Sequence, residues 1–157
     1  MSHPVIYSLL ICAIAAALEG LFAGSGIRQR LLELRLPRYA PPFWGWIVIG
    51  VLYYAICFAV LRRLFLSPTS VSRETALGLM GFIMFINALW NYFFFRTKNL
   101  RHCFLIGLLY TASAAALVLL LMLQVDRTAA WYLLPYLVYL VYVSVLSYGI
   151  WKLNPPG

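Results

Sequence analysis

Ile83-Met84-Phe85-Ile86-Asn87-Ala88-Leu89-Trp90-Asn91-Tyr92-Phe93-Phe94-Phe95 is the stretch whose reading decides the fold. It is apolar enough to lie in hydrocarbon, yet it holds two amides and an indole. At helical spacing Ile83, Asn87, Trp90 and Phe94 share one face. A primary amide in lipid is costly unless it finds a partner, so this face turns into the protein. There it either lines a cavity or acts as polar glue between helices. Spacing alone leaves both readings open.

The rest of the chain has the same character. Hydrophobic residues make up 64% of the 157 and charged residues only 10%, against about 25% charged in an ordinary soluble domain. A bilayer core needs about 20 apolar residues per helix. The charges divide the chain into five such segments, at about 4–26, 43–61, 76–95, 103–125 and 131–151. The expectation is one all-α integral membrane domain over 1–157, a bundle of five transmembrane helices. The N-terminal run has no preceding Lys or Arg and is too long for a cleavable leader, so it reads as the first span. The net charge is +8, but the basic residues sit between apolar segments. There they set topology and meet anionic lipid, and no nucleic-acid partner is expected. Cys12, Cys57 and Cys103 are far apart and form no CxxC, so neither a metal site nor a disulfide framework follows.

Along the chain, Glu19 is the only acidic residue inside any of the five segments. An intramembrane carboxyl group is a functional candidate that faces the bundle interior. Its plainer readings are a hydrogen bond to a neighbouring helix or contact with interfacial water. In the first loop Ile27, Leu31 and Leu34 fall at i, i+4 and i+7 among Arg28, Arg30, Arg35 and Arg38. That pattern suits a short amphipathic helix on the membrane surface, or a lid over the bundle. Pro37, Pro41 and Pro42 then stiffen the approach to the second segment. Tyr53 and Tyr54 lie mid-segment, where each hydroxyl must find a partner or line a pocket. In the fifth segment Tyr132, Tyr136 and Tyr139 share a face, with Tyr142 following. Two aromatic stripes, on the third and fifth segments, make a shared pocket plausible beside simple packing.

With five spans, the first loop, third loop and C-terminus share one side. That side carries Arg28, Arg30, Arg35, Arg38, Arg96, Lys98, Arg101 and Lys152, and the other carries Arg62, Arg63, Arg73 and Arg127. For a bacterial cell membrane this places the N-terminus outside and the C-terminus in the cytoplasm.

Pro41-Pro42-x-Trp44, Tyr53-Tyr54, Asn87-x-x-Trp90-x-x-x-Phe94-Phe95, Pro135-Tyr136-Leu137, and Lys152 with Asn154 occur in an order and at separations that resemble the TspO/MBR family. That family comprises the tryptophan-rich sensory proteins and the translocator protein, and the resemblance spans essentially the whole chain. It implies a five-helix bundle, commonly a homodimer, with a ligand pocket beneath the first loop. It also implies a receptor, carrier or sensor for an apolar aromatic ligand, chiefly a tetrapyrrole such as porphyrin or haem, or a sterol-like molecule, with no required cofactor. The positions this assigns to ligand binding are Asn87, Trp90, Phe94, Tyr54, Trp44, Tyr139, Tyr142, Pro41 and Pro42; Glu19 stays a candidate polar or proton site on its charge alone. The chain departs from the family pattern at Gly50 and Tyr139, where tryptophans are common. It departs also at Ile47 for proline, Ile83 for glutamine, Tyr142 for a small residue and Ser147 for asparagine, which marks a divergent member. With the resemblance, cavity gains over glue for Asn87.

Two other functions follow from the residues. A small transporter would use Glu19, but shows no internal repeat to support it. A tetrapyrrole-modifying enzyme would need a reactive constellation, and no metal cluster, nucleophile–base pair or cofactor motif is visible.

Overall fold

The structure, a computed structural model, describes residues 3–155; Met1, Ser2, Pro156 and Gly157 of the expected domain lie outside the described residues. Among these residues the regular structure is entirely helical. Helix α1 spans His3–Ala23, α2 Ile27–Glu33, α3 Phe43–Leu66, α4 Val71–Asn91, α5 Leu100–Leu120 and α6 Arg127–Leu153. Helix α4 continues as a π-helical turn, Tyr92–Thr97, and α5 as another, Leu121–Val125. All but α2 are long and apolar enough to cross a membrane.

The helices outrun the apolar segments because caps, not charges, set their ends. Helix α3 carries Arg62 and Arg63 inside it and stops only at Leu66; their long stems let the charged heads reach water. Ser70 caps α4 by accepting from the Arg73 amide at 3.2 Å, and Asn99 caps α5 by accepting from the His102 amide at 3.1 Å. Asp126 caps α6 through the Thr128 and Ala129 amides, at 2.8 and 3.1 Å. Such side-chain oxygens satisfy the first free amides of a helix. Asp126 also receives Arg63, at 2.8 Å to Nε and 2.7 Å to Nη2, which ties the start of α6 to the end of α3. Helix α1 ends at Gly24, whose φ of +71° is free of strain only in glycine. Arg96 covers that end, donating to the Leu21 carbonyl at 2.9 Å, where a cation also meets the negative pole of the helix.

In space the spans form a closed ring: α1 packs on α3 and α4, α3 on α6, α6 on α5, and α5 on α4. The α5–α6 seam is the most extensive. It is pinned by Tyr110 to Tyr136 at 2.8 Å and Thr111 to Ser144 at 3.0 Å. Buried side chains fall into two clusters. One, around Val60, Met80, Leu117 and Leu133, fills the half of the bundle away from the first loop. The other, around Leu34, Phe94, Leu100, Leu146 and Ile150, lies against that loop. Outward faces stay apolar: Ile6, Leu10, Ile14, Val51 and Val138 are all exposed on the outside of the ring, as a lipid-solvated surface requires.

Candidate functional site

The ring encloses a cavity of about 480 Å³ with walls from every helix. Helix α1 supplies Glu19, α3 supplies Trp46, Gly50 and Tyr53, and α4 supplies Asn87, Trp90, Asn91 and Phe94. Opposite them stand Gly107 and Tyr110 of α5 and Tyr136 and Tyr139 of α6. Arg28 and Leu31 of α2 stand at the first-loop end. The volume lies within the range of small-molecule sites, and the lining is aromatic with few polar groups, as such sites are.

The polar groups gather on one shelf. Glu19 Oε2 accepts from the Tyr54 hydroxyl at 2.6 Å and from Asn87 Nδ2 at 2.9 Å, and Oε1 accepts from Asn91 Nδ2 at 3.1 Å. Asn91 Nδ2 also donates to the Asn87 carbonyl at 2.9 Å, which fixes its orientation. Helical spacing explains the convergence. Asn87 and Asn91 are one turn apart on α4, so both amides reach the same carboxyl group on α1.

The aromatic walls are continuous. Trp90 stacks on Phe94, with ring centroids 4.8 Å apart and planes 13° from parallel. Tyr53 leans on Tyr136 at 4.9 Å, and Tyr136 on Tyr139 at 5.7 Å. Two donors here have no partner among the described residues: the Tyr53 hydroxyl and Trp90 Nε1, both buried and both on residues that line the cavity. Trp90 Nε1 sits over Gly107, 3.9 Å from where a Cβ would stand. A Cβ at Gly50 would meet nothing within 4 Å, so the absent side chain leaves free space on the α3 wall.

The first loop is fastened across this end of the bundle at two places. On one side Arg30 Nε donates to the Phe94 carbonyl at 3.3 Å, and Lys98 Nζ bonds Glu33 at 3.0 Å. The Lys98 hydrogen bond and charge, with Arg30 behind them, hold the Glu33 carboxyl below its ordinary value of 4.5. On the other side Asn154 brackets the Arg35 backbone, accepting from its amide at 2.9 Å and donating to its carbonyl at 3.0 Å. The Tyr142 hydroxyl donates to the Tyr39 carbonyl at 2.6 Å. Gly149 admits the loop: a Cβ there would lie 2.5 Å from the Tyr39 hydroxyl and 3.0 Å from Pro37 Cγ.

Of the residues singled out in the sequence, Asn87, Trp90, Phe94, Tyr139 and Glu19 come together on the cavity wall. Tyr54 stands behind the wall and acts on it through Glu19. The two central tyrosines thus divide, Tyr54 finding a partner and Tyr53 lining the cavity. Five residues are placed elsewhere. Trp44 is 68% exposed on the outer face, and Trp46, two residues on, turns inward instead. Pro41 and Pro42 pack against Gly45 at the start of α3. Tyr142 serves the loop. Ile83 is fully buried in the core of the opposite half, below the cavity. Spacing passed over Asn91, Tyr110 and Trp46. Asn91, one turn after Asn87, carried a readable signal; Tyr110, a lone tyrosine among small residues, did not.

Comparison with known proteins agrees with this architecture. The sequence profile of the TspO/MBR family matches residues 8–152. The chain is 32% identical over 133 residues to a translocator protein of Ovis aries, covering 83% of this chain and 78% of that one. It is 31% identical over 133 residues to the translocator protein of Homo sapiens, with the same coverage. Protein CrtK of Rhodobacter capsulatus is 24% identical over 149 residues, covering 92% of this chain and 88% of its own.

Proposed function

This chain belongs to the TspO/MBR family, and from that premise we propose that it is a membrane receptor, carrier or sensor for a flat apolar aromatic ligand held in the cavity beneath the first loop. The ligand class the reading favours is a tetrapyrrole, porphyrin or haem, with sterol-like molecules as the wider class. The observation that carries it is the pair of buried donors, the Tyr53 hydroxyl and Trp90 Nε1, that lack partners on an otherwise aromatic wall. An interior built only for packing pairs or removes such groups, since leaving one unmade costs about 1–3 kcal/mol. A ligand bearing an acceptor relieves that cost. Stacked Trp90 and Phe94 offer a face to a planar ring, and Arg28 at the mouth offers a guanidinium to peripheral carboxylates. Tyr142 leaves the cavity unobstructed because its hydroxyl is engaged by the Tyr39 carbonyl. The reading includes a homodimer and, from the basic loops, an N-terminus outside and a C-terminus inside a bacterial cell membrane.

Titration of the purified protein with protoporphyrin IX, followed by tryptophan quenching, tests it. Saturable quenching is expected, weakened in Trp90→Phe and more so in Trp90→Ala. Unsaturable quenching that is the same in parent and both variants would sink the proposal.

A further inference from the structure

Resting on that reading of the cavity, we infer that Glu19 makes the pocket selective for aromatic ligands that present an N–H donor, such as a protonated or neutral ring-bound amine. Among the described residues, Glu19 is the only acidic side chain on the cavity wall. Its two oxygens offer about four lone-pair directions. The protein fills three, with Tyr54, Asn87 and Asn91. Each of these is a donor, and none of the ion pairs among the described residues involves Glu19. The carboxyl group is thus oriented by three neutral donors and sits opposite no cationic partner. Its donors come from α3 and α4, so it is held from two sides while remaining part of the wall. Asn91 is itself locked by the Asn87 carbonyl.

Such an acceptor in an apolar, partly enclosed space meets little competition from water, and an N–H on the ligand answers it directly. The other polar groups of the cavity do the opposite work. Tyr53, Trp90 and Arg28 all present donors. The pocket therefore reads a ligand at two kinds of point: acceptors at Tyr53, Trp90 and the mouth, and an N–H at the α1 wall. A hydrocarbon ring of equal shape satisfies the stacking but leaves Glu19 unanswered.

A pair of three-ring probes separates these cases: 9-aminoacridine, which carries N–H donors, and anthracene, which carries none. Both are titrated into the full-length protein in a neutral maltoside detergent, with the signal of empty micelles subtracted and protoporphyrin IX run alongside. The parent should prefer 9-aminoacridine over anthracene by about tenfold or more, within the range of one buried hydrogen bond made or left unmade. In Glu19→Gln that preference should fall to about threefold or less. Equal affinities in the parent overturn the inference, and this comparison needs no variant, so it decides even where Glu19→Gln fails to fold. A preference that survives unchanged in a folded Glu19→Gln overturns it as well. In both cases saturable protoporphyrin IX binding leaves the pocket reading standing. If protoporphyrin IX and both probes fail to saturate the parent, the pocket reading falls and the inference falls with it.

Discussion

Replacing Gly149 by alanine should release the first loop from α6. The added methyl would stand 2.5 Å from the Tyr39 hydroxyl and 3.0 Å from Pro37 Cγ. The tyrosine ring can swing, but the proline ring sits on a stiff backbone and cannot yield without moving the loop. Overpacking of this kind costs about 1–3 kcal/mol. Moving Tyr39 also strains the Tyr142 bond to its carbonyl. If the bundle holds and the loop absorbs the cost, local opening of residues 34–42 becomes easier by that amount. At about 1.4 kcal/mol per decade this is about 5- to 150-fold more open loop. Trypsin reads it directly, because Arg35 and Arg38 lie in this segment. With opening fast relative to cleavage, the rate follows the open population. Gly78→Ala, where a Cβ meets nothing within 4 Å, is the matched control. A Gly149→Ala rate within about twofold of that control, below the smallest change the overpacking range allows, would refute the reasoning.

Tyr53→Phe should stabilise the ligand-free protein slightly, because it removes a buried hydroxyl without a partner, yet weaken protoporphyrin IX binding; thermal unfolding and titration of the same sample check both signs. Gly50→Ala places a methyl in open space mid-helix and should raise stability by about 0.5–1 kcal/mol, read as a higher Tm. Asp126→Ala loses two capping bonds and the Arg63 pair and should cost about 1–3 kcal/mol, while Asp126→Asn keeps the cap and should cost less, as denaturant unfolding would show. Lys98 and Arg30 depress the Glu33 carboxyl, so its hold on the loop is complete above the unfolded value of 4.5 and is lost as pH falls through the lower folded value. Hydrogen exchange in residues 27–40, corrected for intrinsic rates, should therefore stay level above pH 4.5 and rise below it, and Lys98→Met should flatten that rise.

Five spans were legible because charge interrupts hydropathy at each turn, and that interruption is a property of composition. Helix ends were not, because Ser70, Asn99 and Asp126 act through single hydrogen bonds that leave no trace in an apolar count. Helical spacing found the right face of α4 but not its depth. Ile83 shares the stripe of Asn87 and Trp90, yet lies below the cavity in packed core. The inward choice of Trp46 over Trp44 was hidden for a similar reason. Residues two apart point to nearly opposite sides of a helix, and an aromatic at an interface serves equally as an anchor. Glu19 announced itself by charge alone, but its partners lie 35, 68 and 72 residues away. No local pattern records a convergence of that range. The loop was legible as amphipathic and basic; its fastening by Asn154, 119 residues on, was not.

The order of helices around the ring bears on how the protein is made. Helix α1 meets α3 and α4, but the circle closes only when α6 lodges between α3 and α5. A nascent chain emerges from its N-terminus, so the last span to leave the ribosome is the one that completes the wall. Until then Tyr53 and the Glu19 shelf lie beside an open seam facing lipid, where polar groups are costly. Truncation before Arg127 would leave that seam permanently exposed.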